Sequence, residues 1–315
     1  MLTIDFINVG YGDAILVRDI EASFNILIDS GDVNVGDGGV DSKRISAADF
    51  LMRENIDCID LLVLTHLHLD HSGGLLDILK KVQIKEFWAN YLPDEKMWGK
   101  SIDVLESISP ASQCLLKSLS IFSSALEMMK SSGTIIKHIN NQFNINFTDS
   151  LSSNVQLELG SIQDKQKEIC DDIFAGNIND ELIQYWDRFV NDTSIRLSLK
   201  YANRKIELPG DVYAKCWEKK QVGACDIVKI PHHGHSDSMT IKLSEMLQPK
   251  YAIVSVSNTR VDNCPCFNAI DALRSNGTKL YFTDAVNKYD NEVFNQFAIR
   301  FSISHDGNIE VGRII

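Results

Sequence analysis

Six of the eight histidines of this chain lie in two short segments. One is Thr65-His66-Leu67-His68-Leu69-Asp70-His71-Ser72-Gly73-Gly74, the other Pro231-His232-His233-Gly234-His235. Between them Leu208-Pro209-Gly210-Asp211 presents an acid at a turn. His66 and His68 stand two apart on an extended stretch, so both can face one ion. Asp70 and His71 follow where the chain changes direction, and can reach a second ion or share the first. Asp211, behind a glycine at a strand end, is well placed to bridge. His232 and His233 follow the strand Asp226 to Ile230 and can close the site from the far side. Imidazole with carboxylate suits Zn, Mn or Fe better than Ca or Mg alone. Two ions held about 3.5–4 Å apart would clamp attacking and leaving oxygens.

A lone His-X-His in a loop is more often an accident than a ligand pair. Here four candidate donors fall within six residues, after an apolar strand and before Gly-Gly. For His235, ligation and a role facing the substrate are both open. His138 and His305 are isolated and read as ordinary residues.

These side chains need a scaffold. Leu2, Ile4 and Phe6 alternate with Thr3 and Asp5, the pattern of a strand. Ala14 to Val17 and Phe24 to Asp29 follow as strands after the Gly10/Gly12 turn, so the chain opens with antiparallel β-structure. Gly31 to Gly39 is a loop. Ser46 to Glu54 reads as a helix capped by Ser46. Leu61 to Leu64 is a continuous apolar run, the sign of a buried strand. A helix from Leu75 to Lys81 follows Gly73-Gly74. From about 88 to 190 the pattern is less legible, with helical spacing over Ala111 to Lys130, a strand at Val155 to Leu159, and helix within Asp171 to Val190. Strands return at Ile195 to Leu199, Lys205 to Leu208, Ile227 to Ile230, Ala252 to Ser255 and Lys279 to Phe282. Helices fit Tyr213 to Lys220, Thr240 to Leu247 and Phe267 to Ser275. Strands flanked by helices, with chemistry at strand ends, predict a layered α/β domain.

The 315 residues are 44% hydrophobic and 23% charged, with 43 acids against 31 bases and a net charge of -12. That length allows a substantial core. The acidic balance weighs against strong non-specific binding of DNA, which calls for a basic face. Arg196, Lys200, Lys205, Lys229 and Arg260 are candidates for a local basic patch, with solvated surface the plainer reading of each. The seven cysteines have no regular spacing and read as reduced thiols of an intracellular protein. Neither a signal peptide nor a membrane span is evident, so the expectation is a soluble, cytoplasmic chain with no membrane partner.

His66-Leu67-His68-Leu69-Asp70-His71 resembles the HxHxDH signature of the metallo-β-lactamase fold. Asn8-Val9-Gly10-Tyr11-Gly12-Asp13-Ala14 is similar to the DVGQGDA block of the soluble hydrolase domain of the ComEC competence family. Further similar blocks follow in order: Leu27 to Gly31, Asn191 to Ser194, Gly210-Asp211, Pro231 to Gly234 and Thr283-Asp284. The resemblance implies a four-layer αβ/βα sandwich with mixed sheets, spanning 1–315 as one hydrolase domain with an insertion or lid at about 88–190. It implies His66, His68, Asp70 and His71 as direct ligands and Asp211 as the bridge. One of His232 and His233, with His232 slightly favoured, completes the second position. Two divalent ions, Zn or Mn, are expected, one ion being the alternative. The chain departs from the family twice. It has no histidine near Asn191 and Asp192, where Asp192 is the available substitute or the ion stays more open. It has Cys264-Pro265 where the subgroup often has His-Pro.

The expected chemistry is hydrolysis by a metal-activated hydroxide, with Asp70, Asp211 and His235 in the catalytic group. Asp13, Asp29, Asp192, Cys264 and Asp284 are expected around it or against substrate, Asp29 as a partner that sets the tautomer of a ligand histidine. The leading substrate is a phosphodiester in DNA, RNA or a nucleotide, on the strength of the resemblance. The alternatives are a small-molecule ester hydrolase, of phosphocholine-ester or lactone type, and a non-catalytic binding module.

Overall fold

The computed structural model describes the chain except residues 41, 140–142, 147–150, 157–160, 221, 260–263 and 287–294. It gives the backbone alone for 143–146, 151–156 and 161–163. In chain order the elements begin with β1 (Leu2–Ile7), β2 (Ile15–Asp19), β3 (Phe24–Ile28), α1 (Ala47–Arg53), β4 (Cys58–Leu64), α2 (Leu69–Ser72), α3 (Leu75–Lys81) and β5 (Gln83–Ala89). Next come α4 (Pro110–Ser132), β6 (Ile135–His138), β7 (Phe143–Asn146), β8 (Leu151–Gln156), α5 (Ser161–Phe174) and α6 (Asp180–Val190). The chain ends with β9 (Arg196–Tyr201), β10 (Arg204–Leu208), α7 (Ala214–Trp217), β11 (Ile227–Lys229), α8 (Ile241–Leu247), β12 (Tyr251–Val254), α9 (Phe267–Arg274), β13 (Lys279–Phe282), β14 (Ala298–Ile303) and β15 (Ile309–Ile314).

Two sheets result. The first runs β15-β14-β1-β2-β3-β4-β5-β6 and the second β13-β12-β11-β10-β9-β8-β7. Both are mixed: β1, β2 and β3 pair antiparallel, β3 to β6 parallel, and β10 to β13 parallel beside antiparallel β9. Period-two alternation decides which face each strand buries. Leu2, Ile4, Phe6, Leu61 and Val63 of the first sheet meet Leu197, Leu199, Ile206, Leu208 and Ile253 of the second in a shared core. Leu62 and Leu64 point the other way, onto Leu75, Ile78, Leu116 and Leu119 of α3 and α4. Val228, Ala252 and Val254 face α8 and α9 through Leu243, Leu247, Ile270 and Leu273. The order is therefore helices, sheet, sheet, helices, the four-layer sandwich of the metallo-β-lactamase fold. β4 is apolar throughout its second half because both of its faces are covered, and each such buried side chain contributes about 1.5–3 kcal/mol.

Local signals explain most boundaries. Ser46 Oγ accepts the Asp49 N–H and starts α1, and Ser109 Oγ does the same for α4, which ends on Gly133 at a φ of 80°. Three expectations are refined. Tyr213 to Lys220 is helical only over α7. Of the helix, or loop with helix, expected over Asp171 to Val190, the structure has the end of α5, a loop near Gly176 and the whole of α6. The strand expected at Val155 to Leu159 is β8, beginning at Leu151, with 157–159 outside the described residues. Within the region expected as an insertion or lid at about 88–190, β6 extends the first sheet, and β7 and β8 the second. Among the described residues no helix is long and apolar enough to cross a membrane.

Candidate metal centre

The first histidine segment leaves the end of β4 and is pinned at once. Thr65 donates its backbone N–H to Asp29 Oδ1 (2.7 Å) and its hydroxyl to Asp29 Oδ2 (2.8 Å). The chain stays extended to His68 (φ -74°, ψ 149°) and then turns into α2. That extended stretch holds His66 Nε2 3.1 Å from His68 Nδ1. The outer nitrogens have their own partners. His66 Nδ1 lies 2.9 Å from Thr65 Oγ1 and 3.3 Å from Ser194 Oγ, and His68 Nε2 lies 3.3 Å from Asp187 Oδ1 on α6. The turn is braced from the β1–β2 loop. Gly12 sits at a φ of 130°, and a Cβ there would run into the Asp70 carbonyl oxygen, so no side chain fits.

His71 lies between two carboxylates. Its Nδ1 is 2.8 Å from Asp29 Oδ2 and its Nε2 is 3.1 Å from Asp211 Oδ2. Asp211 reaches this point from the turn after β10, where its N–H donates to Ser194 Oγ (3.1 Å). The second histidine segment follows β11 in a short turn with both His232 and His233 at positive φ, 45° and 51°. The two rings consequently diverge. His233 is fully buried, with Nε2 3.1 Å from Asp70 Oδ2 and 3.3 Å from Asp211 Oδ2 and with Nδ1 3.1 Å from the Ser255 carbonyl. His232 turns outward, its Nδ1 2.7 Å from Asp237 Oδ1 and its ring stacked on His235 at 4.4 Å. Of this pair, His233 stands against Asp70 and Asp211, and His232 contributes its backbone N–H to Asp211 Oδ1 (3.0 Å). His235 lies at the rim, its Nε2 3.1 Å from Tyr11 Oη.

Charge and burial set the protonation of these groups in the metal-free protein. Burial pushes His66 well below the ordinary histidine range, helped by His71 and His68, so its imidazole is neutral. Burial works against protonation of His71 and His233 too, but Asp211, Asp29 and Asp70 override it. His71 is held well above the usual range, and His233 is pushed up to about 9. Burial also opposes the ionised forms of Asp211 and Asp70. Lys229, His233 and His71 nonetheless hold Asp211 well below the carboxylate range, and His71 and His233 lower Asp70. Burial raises Asp29, against the pull of His71 and the Thr65 donors. His235 falls to about 4 through burial and the neighbouring His232 and His233.

The donor set fits a divalent ion. Three groups have one donor atom per residue within 4.8 Å of one another: His66, His71 and Asp211; Asp70, His71 and His233; Asp13, Asp29 and His71. These are the nitrogen and oxygen ligands borderline metals take. Buried Asp13 Oδ1 has no hydrogen-bond partner, the kind of vacancy an ion satisfies.

Other predicted residues stand elsewhere. Asp192 is turned to the start of α7, accepting from the Tyr213 N–H (3.2 Å) and the Cys216 thiol (3.1 Å), and is in none of these groups. Cys264 is buried with its thiol 3.3 Å from the His233 carbonyl oxygen, so it touches the backbone of the site. Asp284 accepts from Arg44 Nε (3.0 Å), Ser42 Oγ (2.5 Å) and the Asn258 N–H (3.0 Å), tying down the loop before α1. Among the described residues the basic patch does not assemble. Arg196 and Lys229 are buried, Lys205 pairs with Glu207 (2.7 Å), Lys200 alone of the described four is exposed, and Arg260 lies outside the described residues. Lys229 is the largest correction: its ammonium forms an ion pair with Asp13 Oδ2 and lies 3.0 Å from Asp211 Oδ1. Its signal was a lysine inside the apolar run Ile227 to Ile230, leading straight into the second histidine segment. Asp187 and Ser194 had no such signal, being brought to the site only by folding.

A family model described as the Metallo-beta-lactamase superfamily matches residues 7–109, which span the first histidine segment. Over those residues the chain is similar to that superfamily, and its mixed α/β sandwich is consistent with the metallo-β-lactamase fold. No curated protein matches the sequence. Among solved structures, the metallo-beta-lactamase fold protein YhfI from Bacillus subtilis is 8% identical with a TM-score of 0.47, over 89% of this chain and 95% of that one. Zn(2+)-bound PqqB from Methylobacterium extorquens is 10% identical with a TM-score of 0.46, over 90% and 98%. A diphosphatase from the PhnP family is 12% identical with a TM-score of 0.43, over 100% and 98%. Likeness at this level says nothing of the reaction.

Proposed function

We propose that this chain is a metal-dependent hydrolase of phosphodiesters, acting on a nucleotide-sized substrate rather than on long nucleic acid. The observation that carries the reading is the meeting of two donor triads, His66/His71/Asp211 and Asp70/His71/His233, in one buried pocket of charge. Adjacent ions suit phosphoryl transfer, because two cations can balance charge on both the attacking and the leaving oxygen. The resemblance of Asn8 to Ala14, Gly210-Asp211 and Pro231 to Gly234 to blocks of the competence-family hydrolases supports the phosphodiester class. The dispersed bases and the net charge of -12 favour a small substrate over a polyanion.

In this reading His66, His68, Asp70, His71, Asp211 and His233 would hold two divalent ions, Zn or Mn, which would supply a lowered pKa for bound water and positive charge against the phosphate. The remaining residues orient these side chains. Asp29 holds His71 through Nδ1 and Asp187 holds His68 through Nε2, leaving His71 Nε2 and His68 Nδ1 to the ions. Tyr11, His232 and His235 line the rim, and His235, a neutral imidazole at pH 7, can accept a hydrogen bond there or take up a proton. The segment at about 88–190 serves as a wall of the site through α6.

The test is metal content by mass spectrometry of protein purified without added metal, with hydrolysis of bis(p-nitrophenyl) phosphate measured on the same sample in Mn and in Zn. About two ions per chain and cleavage lost in both Asp211→Ala and His68→Ala are expected. Undiminished cleavage in both variants overturns the reading, and cleavage of duplex DNA in preference to dinucleotides overturns the choice of a small substrate.

A further inference from the structure

Lys229 ends β11 with its side chain fully buried. Its ammonium pairs with Asp13 Oδ2, lies 3.0 Å from Asp211 Oδ1 and donates to the Gly210 carbonyl at 3.2 Å. Asp211 Oδ1 also accepts the His232 N–H at 3.0 Å. That oxygen therefore has two donors, one of them charged. The other oxygen, Oδ2, faces His71 Nε2 at 3.1 Å and His233 Nε2 at 3.3 Å. A fixed cation beside a cation-binding site opposes metal uptake by Coulomb repulsion. What it supplies is geometry, because a carboxylate can otherwise bind an ion through one oxygen or both.

We propose that Lys229 is a positioning residue: it clamps Asp211 Oδ1, so that Asp211 offers bound ions a single oxygen, Oδ2. The proposal rests on reading this cluster as a metal centre. The same ammonium engages Asp13 Oδ2, so that Asp13 too has only one oxygen, Oδ1, left toward the donor cluster. Four carboxylates, Asp13, Asp29, Asp70 and Asp211, converge here. The lysine keeps the number of oxygens around each ion low enough to leave room for water and substrate. Asp211 and Asp13 come from different sheets, so the ion pairs also fix the distance across the cleft.

The experiment is Co(II) titration of the protein followed by visible absorption. Four- and five-coordinate Co(II) absorb strongly in the d–d region, whereas six-coordinate Co(II) absorbs weakly. Lys229→Met removes the charge at similar length but leaves Asp13 and Asp211 buried without it, which is strongly destabilising. The double variant Lys229→Met/Asp13→Asn relieves that repulsion and still frees Asp211, and Asp13→Asn alone keeps the clamp. We expect Asp13→Asn, which keeps an oxygen at that position and the clamp on Asp211, to keep the wild-type coordination band. Relative to Asp13→Asn, we expect the double variant to show a weakened, shifted band and raised Co(II) affinity, because the fixed cation is gone. A double variant with wild-type spectrum and affinity overturns the clamp while leaving the metal centre standing. Absence of any Co(II) band from the wild type overturns the metal centre, and the clamp with it.

Discussion

Asp29 Oδ2 lies 2.8 Å from His71 Nδ1, on the opposite side of the imidazole from Asp211 Oδ2 at 3.1 Å. Asp29 also takes both donors of Thr65. One carboxylate at the end of β3 thus fixes the first histidine segment through its backbone and the His71 ring through its outer nitrogen. Asp29→Ala is expected to lower metal affinity about 10–100-fold while the secondary structure persists. Competition with a chromophoric chelator measures this, and an unchanged dissociation constant would show that the His71 tautomer needs no help.

The divergent rings of the Pro-His-His-Gly turn separate the effects of its two histidines. His233→Ala removes a buried ring that faces Asp70 and Asp211, and should abolish one of two binding events in a metal titration. His232→Ala leaves the backbone N–H that holds Asp211 and should change metal stoichiometry not at all, with its effect confined to KM. Equal loss of metal in both variants would contradict the geometry.

Protons must leave when metal enters. In the metal-free protein Asp211 and Asp70 raise His233 from 6.5 to about 9 and hold His71 high as well, against burial. At pH 7 both are protonated, so binding should release roughly two protons. Calorimetric heats in buffers of different ionisation enthalpy would reveal them. Affinity should climb with pH and level off above about 9. The stability of the metal-free protein runs the other way. A folded pKa above the unfolded one stabilises fully below about 6.5, and the contribution is lost as pH rises through about 9.

Gly12→Ala sets a Cβ against the Asp70 carbonyl at a backbone angle side chains avoid. A destabilisation of about 2–3 kcal/mol is expected in denaturant unfolding, accompanied by weaker metal binding because the turn bearing Asp70 must move. Loss of stability with full metal affinity would mean that the two loops are energetically independent.

Arg44→Met leaves Asp284 buried without the Arg44 guanidinium. About 3–5 kcal/mol of stability should be lost, as for other broken buried pairs. Metal affinity should be little changed, since neither residue touches the donor cluster. Arg44→Met/Asp284→Asn should recover much of the stability.

Much of the fold could be read from periodicity, because strands such as β4 and helices such as α3 obey one local rule from end to end. The site was legible where its donors are neighbours in sequence, as at His66 to His71, and where a turn residue marks the acid, as at Gly210-Asp211. Three things were not. The choice between His232 and His233 depends on two positive φ angles that composition does not reveal. Lys229 was assigned to a solvated surface because lysine seldom goes inside, and only the carboxylates on facing elements, Asp13 and Asp211, make its burial possible. Asp187 meets His68 across 119 residues of chain, and nothing local announces such a contact. The segment at about 88–190 looked separate because its strands are short and polar. Their place is set by the edges of sheets built from the rest of the chain.

The donors are divided between the two sheets: His66, His68, Asp70 and His71 follow β4, while Asp211 and His233 follow β10 and β11. An ion held by all of them would act as a rivet through the sandwich, joining halves of the polypeptide made at different times. Its uptake must therefore wait until residue 233 has emerged from the ribosome and the second sheet has docked. A nascent or truncated chain ending before β10 would carry only half a chelate and lose its ion to any competing ligand, so metal retention in a cell would report finished assembly.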